Sequence, residues 1–305
     1  MVLEIEDKPF LQLILILGLC LISVVLFSVV GGLITVGLYG FDALGMNNLG
    51  SLNTISGLKL FQLFSAVGLF LVPPTLYGLF TSKKPFQKLS LEKLNKPTGY
   101  FLILLLMVIS TPFISWVIEV NASMSLPEFM SGIEEWMRSS ERQAESLTKA
   151  FLTFDGMGSL LYVLVIVAVV PALGEELLFR GVLQKIFINW TKNPHIGIWI
   201  TAILFSALHM QFFGFFPRLL LGLMFGYIFL WSKSLWLPIL GHFINNGSVV
   251  IISYFFPQSI RNADFTIFGD SQNRAMLYIA SFILSVVIFY LIRRINQNKV
   301  LSQFN

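Results

Sequence analysis

Three apolar stretches of the chain contain ionisable or amide side chains where a membrane helix would normally have none. They read PALGEELLFRG, FSALH and GHFINNG, and their polar members are Glu175, Glu176, Arg180, His209, His242 and Asn246. Charged side chains inside a membrane span are costly, and for that reason they are candidate functional residues by default. These residue types provide carboxylates, imidazoles and an amide, which together can carry out hydrolysis.

The spacing of the first group predicts different roles for its two glutamates. Glu176 and Arg180 are four residues apart and share one face of a helix, so we expect them to form an ion pair. Pairing reduces the cost of burying both charges. Glu175 is one step further round the helix and is left free to face a cavity.

The second and third groups follow the same four-residue rule. His242 and Asn246 can point at one centre from a single helix, and Phe205 is expected to pack beside His209. Glu175 lies 17 residues before Lys192 and His209 lies 17 residues after it. Two antiparallel helices joined by a short turn would therefore hold both side chains at one level, roughly 20–25 Å from the turn.

Peptide hydrolysis needs an activated water molecule and a stabilised oxyanion. A carboxylate in an apolar site suits a general base, histidine can share a proton or bind a metal, and asparagine can donate to an oxyanion. Ser206 and Ser248 lie off the relevant helix faces, and Cys20 is the single cysteine. A covalent nucleophile is therefore disfavoured.

Two mechanisms remain open at this point. In the first, Glu175 with His209 activates water, while His242 with Asn246 stabilises the oxyanion. In the second, zinc is bound by His209, His242 and a glutamate such as Glu175, and the other glutamate is the base. The sequence lacks a His-Glu-x-x-His motif, so the zinc alternative rests on ligand types alone.

The three motifs resemble those of a known family. Glu175-Glu176-x-x-x-Arg180, Phe205-x-x-x-His209 and His242-x-x-x-Asn246 are similar, in order, to the motifs of the CPBP intramembrane endopeptidases. That family includes type II CAAX prenyl endopeptidases and bacteriocin-processing or self-immunity proteins of bacteria. The resemblance covers about residues 155–250.

The resemblance implies a fold and a site. The fold is an eight-helix membrane core with a cavity open toward the cytoplasm. The site has Glu175 as the base with His209, and has His242 with Asn246 at the oxyanion. Family members are also labelled metalloproteases, so the resemblance leaves the metal question open.

Composition and hydropathy predict an all-α, polytopic membrane protein. The chain is 56% hydrophobic and 12% charged, with a mean hydropathy of +0.80, whereas soluble domains carry about 25% charge. The formal net charge of +4 reflects lysines in loops and gives no reason to expect a nucleic-acid partner. We expect about eight transmembrane helices, near residues 10–37, 57–81, 99–121, 156–190, 195–212, 215–231, 235–256 and 275–293.

Lysine placement predicts the orientation in the membrane. The loop after the second span carries five lysines, and the tail after the last span carries three basic residues: Lys83, Lys84, Lys88, Lys93, Lys96, Arg293, Arg294 and Lys299. Positive residues favour the cytoplasmic side. We therefore expect a multi-pass protein of the plasma membrane with both termini in the cytoplasm.

The span pattern divides the chain into four regions. Residues 1–121 contain the first three spans, 155–256 the catalytic membrane core, and 257–305 the last span and a cytoplasmic tail. Residues 122–154 form a polar insertion in which apolar side chains recur at helical spacing, at Phe129, Met130, Ile133, Trp136 and Met137. This pattern predicts an amphipathic helix on the outer membrane surface, and a substrate-gating role is the alternative.

The function predicted from these observations is intramembrane proteolysis of a peptide or membrane-protein substrate within the lipid bilayer. Nothing in the sequence requires the substrate to be prenylated or indicates an oligomer. Two alternatives are a non-proteolytic immunity or scaffold protein that keeps the site, and a proton-coupled transporter that uses Glu175 and His209 as a relay.

Overall fold

The computed structural model describes residues 3–45, 51–92, 97–257 and 274–301. These residues form helices joined by short connections, with no strand among them, which confirms the predicted all-α fold. Lys93, Lys96 and the side chain of Lys299, which are part of the orientation argument, lie outside the described residues.

The main helices are α1 (Pro9–Tyr39), α2 (Leu52–Thr81), α3 (Pro97–Ala122), α4 (Ser131–Phe151), α5 (Met157–Thr191), α6 (Pro194–Ala207), α7 (Phe215–Ser232), α8 (Trp236–Phe255) and α9 (Arg274–Leu301). Among the described residues, all of these except α4 and α6 are long and apolar enough to cross a membrane, which makes seven candidate spans. The protein is therefore a polytopic membrane protein, and the predicted number of eight spans is not confirmed.

The predicted span at residues 195–212 accounts for the difference between eight predicted spans and seven candidate spans. Helix α6 has 14 residues, about 21 Å at 1.5 Å per residue, which is shorter than a hydrocarbon core of about 30 Å. The backbone leaves helical geometry after Ala207, and Met210 has a φ of 53°. Helix α7 then begins at Phe215 and packs back against α6, where Gly222 allows close approach to Ala202.

Helix α5 carries two π-helical segments, at Val165–Val169 and Leu177–Leu183. Such widened turns change which side chains face a neighbour and are frequent at functional sites. Between them, Gly174 packs so closely on α2 that an added Cβ would lie 2.6 Å from Cβ of Phe70. This contact fixes the position of the residues that follow Gly174.

Helix α4 lies within the predicted insertion 122–154 and packs across the connection between α6 and α7. The ring of Trp136 contacts that of Phe212 at 5.2 Å, and the Arg138 guanidinium lies 4.5 Å over the ring of Phe213. The insertion 122–154 is therefore helical over Ser131–Phe151. The side of the membrane on which α4 lies stays a prediction.

The lysine-bearing segment before α3 packs at the opposite end of the molecule. Lys185 donates from Nζ to the Lys88 carbonyl (2.6 Å) and to Ser90 Oγ (2.8 Å), and the Leu235 amide donates to the Ser90 carbonyl (3.0 Å). These contacts place the segment where α5 ends and α8 begins. One end of the molecule therefore carries lysines, and the other carries α4.

Candidate active site

A cavity of about 520 Å³ is lined by residues of helices α2, α4, α5, α6, α7 and α8. Its lining includes the polar residues Glu175, His209, Arg218, His242, Asn245 and Asn246. Three motifs that are separated by up to 71 positions in the sequence therefore meet at one site. Glu176 and Arg180 lie behind the wall of this cavity rather than in its lining.

Glu176 and Arg180 form a completely buried ion pair. Arg180 Nη1 donates to Glu176 Oε1 at 2.8 Å, as their spacing predicted, and Nη2 donates to the Gly222 carbonyl at 3.1 Å. The guanidinium also lies 4.9 Å over the Phe205 ring. Burying a charge pair costs less when its remaining polar atoms are also satisfied; the Gly222 carbonyl satisfies one of them, while Nε of Arg180 and Oε2 of Glu176 have no hydrogen-bond partner among the described residues.

His242 is held by the same carboxylate. Its Nδ1 lies 2.9 Å from Glu176 Oε1, and since a carboxylate only accepts, Nδ1 is assigned as the donor. The Phe225 ring stacks on the imidazole at 5.9 Å with an interplanar angle of 19°. Nε2 of His242 consequently faces Glu175, with 3.9 Å between Nε2 and Oε2, a distance too long for a direct hydrogen bond.

Glu175 differs from Glu176 because its carboxylate lines the cavity, whereas Oε1 of Glu176 accepts hydrogen bonds from Arg180 and His242 behind the cavity wall. Oε2 of Glu175 is buried, and no described residue donates a hydrogen bond to it. An unpartnered buried acceptor is costly and calls for a functional or structural explanation. The carboxylate lines the cavity, where it can accept a proton from a bound molecule.

His209 lies just beyond the last residue of α6. Its Nδ1 is 2.7 Å from the Phe205 carbonyl, so Nδ1 donates and Nε2 is left for the cavity. The Phe205 ring makes T-shaped contacts with both imidazoles, with centroid distances of 5.0 Å to His209 and 6.1 Å to His242. Phe205 therefore packs between the two histidines and orients them.

Asn246 is fixed from two sides. Its Nδ2 donates to the Val167 carbonyl at 3.0 Å, in the first π-helical segment of α5, and its Oδ1 accepts from Asn245 Nδ2 at 3.1 Å. An amide nitrogen carries two hydrogens. One hydrogen of Asn246 is therefore still available at the cavity.

The imidazole nearest to Glu175 is that of His242. The sequence assigned Glu175 and His209 jointly to water activation, and this role stays a prediction; the shortest contact between a Glu175 oxygen and an imidazole nitrogen is to His242. The reason is that the Phe205 carbonyl holds the His209 ring, while Glu176 holds the His242 ring beside Glu175. Both histidines nonetheless line the same cavity.

Arg218 is a cavity residue that the sequence reasoning missed. It lies four residues into the apolar run FFPRLLLGL, so the rule used for the other charged residues within spans also applies to it. It was not singled out because it belongs to none of the three motifs. In the structure its guanidinium is bound to the backbone and side chain of Gln211.

The residues present do not form a ready zinc site. Across the described residues, no group of three or more His, Cys, Asp or Glu side chains has an arrangement that could hold a metal ion. Glu176 Oε1 is already shared by Arg180 and His242, and the zinc set proposed from sequence would need His209 and His242 to converge with a carboxylate.

The cavity reaches the surface beside α4. Leu147, Thr148 and Phe151 of α4 and Gln62 of α2 belong to its lining, and Thr148 and Gln62 are exposed. This is the end opposite the lysine-bearing segment. The side to which the cavity opens and the side on which the lysines lie both stay predictions.

Comparison with known proteins points to the same part of the chain. A family model for the type II CAAX prenyl endopeptidases, Rce1-like, matches residues 157–248. The uncharacterized protein YpbD of Bacillus subtilis (strain 168) is 34% identical over 77 residues, which is 24% of this chain and 36% of that protein. No solved structure matches.

A second relative has a descriptive name. The membrane-embedded CAAX protease MroQ of Staphylococcus aureus (strain USA300) is 31% identical over 103 residues, 32% of this chain and 41% of that protein. The chain thus aligns with less than half the length of either relative. The segment matched by the family model, residues 157–248, contains Glu175, His209, His242 and Asn246, and over this segment the chain is similar to the type II CAAX prenyl endopeptidases.

Proposed function

We propose that this protein is an intramembrane endopeptidase that hydrolyses a peptide bond of a membrane-associated peptide or protein, with Glu175 as the general base. One observation carries the proposal. The buried, unpartnered Oε2 of Glu175 lies at a cavity that is also lined by His209, His242 and Asn246.

Water activation is assigned to Glu175 and His209. With Nδ1 of His209 donating to the Phe205 carbonyl, Nε2 of the neutral ring is an acceptor. A water molecule that donates one hydrogen to Glu175 Oε2 and the other to His209 Nε2 would have its lone pairs directed at a substrate carbonyl. Glu175 takes one proton as the water attacks and can return it to the leaving amine.

Oxyanion stabilisation is assigned to His242 and Asn246. They lie one turn apart on α8, and Asn246 has an amide hydrogen to spare. For Nε2 of His242 to donate as well, the ring must carry a second proton, because Nδ1 already donates to Glu176. Donors fixed before the reaction stabilise developing charge without reorganisation.

Glu176 and Arg180 are positioning residues in this scheme. Neither lines the cavity, but Glu176 fixes the tautomer and direction of His242, and Arg180 fixes Glu176. Their contribution to catalysis therefore acts through His242.

The proposal is tested by comparing membranes of cells that produce the wild-type protein with membranes of cells that produce Glu175→Gln. Mass spectrometry of peptide termini should find termini that occur only with the wild type, at equal amounts of inserted protein. Identical sets of termini would contradict proteolysis. An immunity phenotype that persists in the variant would then favour a binding protein, and proton-coupled uptake that stops in it would favour a transporter.

A further inference from the structure

Arg218 is the cation of the active-site cavity. Among the described residues that line the cavity, it is the one arginine, and no lysine accompanies it. Neither water activation nor oxyanion stabilisation, as assigned above, makes use of it. Its charge is therefore available for another task.

The guanidinium of Arg218 is held in one place. Nη1 donates to the Gln211 carbonyl at 3.2 Å, and Nη2 donates to Gln211 Oε1. Gly214 makes room for it, since a Cβ at that residue would lie 2.5 Å from Nη1. A cation fixed in this way loses less side-chain entropy when it binds a partner.

The charge of Arg218 is not neutralised by a direct ion pair. No described carboxylate oxygen lies within 4.0 Å of the guanidinium, in contrast to Arg180, which has Glu176 at 2.8 Å. Glu141 of α4 and Glu175 influence Arg218 electrostatically from further away. Oε2 of Glu141 is itself buried and receives no hydrogen bond from the described residues.

A guanidinium has five N–H donors, arranged to match a carboxylate with two parallel hydrogen bonds. Gln211 accepts from two nitrogens of Arg218, which leaves further N–H groups at a cavity that also holds the proposed base. The chemical partner that fits this site is an anion of carboxylate type on the molecule that enters the cavity.

We propose that Arg218 binds a carboxylate of the peptide substrate and so selects peptides that carry one near the bond to be cleaved. The selectivity for cleavage rests on the proposed endopeptidase function, whereas the binding of the carboxylate does not. The carboxylate can be the C-terminus of the peptide or the side chain of an Asp or Glu residue, and the experiment distinguishes these sources.

The test uses three apolar decapeptides of otherwise identical sequence and the full-length protein in detergent. The first ends in a free carboxylate and has glutamine at the polar position, the second has a C-terminal amide and glutamate there, and the third has the amide and glutamine. Binding is measured by fluorescence polarisation to Glu175→Gln, which is expected not to cleave them. One or both carboxylate peptides should bind roughly tenfold more tightly than the third, the order expected of a charge-assisted hydrogen bond.

The same measurement on the double variant Glu175→Gln/Arg218→Gln should remove this preference. Arg218→Lys in the same background keeps the charge but lacks the two-pronged geometry, and should keep a smaller preference. It also serves as the test if Arg218→Gln does not fold. Equal binding of the three peptides to Glu175→Gln, or a preference that survives loss of Arg218, would overturn the proposal.

Cleavage of the same peptides by the wild type separates this proposal from the previous one. A carboxylate preference in binding without cleavage contradicts the endopeptidase and leaves the anion site. Cleavage of all three peptides at the same rate, with equal binding, contradicts the anion site and leaves the endopeptidase.

Discussion

His242 donates a 2.9 Å hydrogen bond from Nδ1 to Oε1 of Glu176, and this contact gives the adjacent residues Glu175 and Glu176 different roles. Oε1 of Glu176 is bound by His242 and Arg180, so Glu176 holds the site together. Glu175 lines the cavity, which Glu176 does not, and can react there. Substitution of each glutamate by glutamine is therefore expected to have a different effect. The change at Glu176 should lower stability, and the change at Glu175 should lower activity.

Glu176→Gln should destabilise the protein strongly. The change leaves the charge of buried Arg180 uncompensated, which costs about 3–5 kcal/mol in the free energy of unfolding. Thermal unfolding in detergent measures this against Glu175→Gln, which removes no direct ion pair shorter than 3.9 Å and should unfold near the wild-type temperature. Equal unfolding temperatures for both variants would refute the division of roles.

Asn246→Ala should lower kcat by about 10²–10³, the loss seen when one oxyanion donor is removed. Ser248→Ala is the matched control, because this exposed residue lies on the same helix and bonds only to the Asn245 carbonyl among the contacts described. Cleavage rates at saturating peptide compare the two. A loss confined to KM, or one as large in Ser248→Ala, would remove Asn246 from the oxyanion site.

Much of the site could be predicted from residue types and four-residue spacing. The spacing predicted the pair Glu176–Arg180, and the residue count from Lys192 predicted that Glu175 and His209 lie at one level. The ion pair is confirmed because helix geometry alone places residues four apart on one face, while the common level of Glu175 and His209 stays a prediction. The structure places Glu175 and His209 on one cavity, and it contains the ion pair.

Other features depend on packing and could not be predicted from the sequence. The π-helical segment Leu177–Leu183, the capture of His209 by the Phe205 carbonyl and the position of α4 beside the cavity all arise from contacts between distant parts of the chain. The early end of α6 belongs to the same group. Arg218 is different, because its charge within an apolar run is visible in the sequence although none of the three motifs includes it.

The position of α4 makes the membrane orientation testable. In a Cys20→Ser background, a cysteine at Gln143, on the exposed face of α4, reports the cavity end, and a cysteine at Lys84 reports the lysine end. The positive-inside rule predicts that a membrane-impermeant maleimide labels the first position in intact cells and not the second. The reverse pattern would mean that the cavity opens to the cytoplasm and that the lysines face outward.

The connection before α4 should loosen in acid. Hydrogen bonds from the Leu126 amide and from Arg138 hold the pKa of Glu134 below its ordinary value. A group whose pKa is lowered by folding stabilises the fold above its ordinary pKa, and this contribution disappears as the pH falls through the lowered value.

Hydrogen exchange of the Leu126 amide, measured relative to Glu134→Gln at each pH, tests this expectation. Protection in the wild type should exceed that in the variant at neutral pH, and the difference should vanish on acidification. A difference that persists when the carboxyl group is fully protonated would show that the charge of Glu134 is not what stabilises this connection.

The most direct test of the account is the rate at which purified protein cleaves a peptide identified in the membrane comparison. Glu175→Gln should lower this rate by at least about 10²-fold, as expected for loss of a general base, at an unchanged unfolding temperature. Glu128→Gln, which alters an exposed glutamate on the connection before α4, should cleave like the wild type. Cleavage by folded Glu175→Gln at the wild-type rate would contradict the assignment of Glu175 as the base.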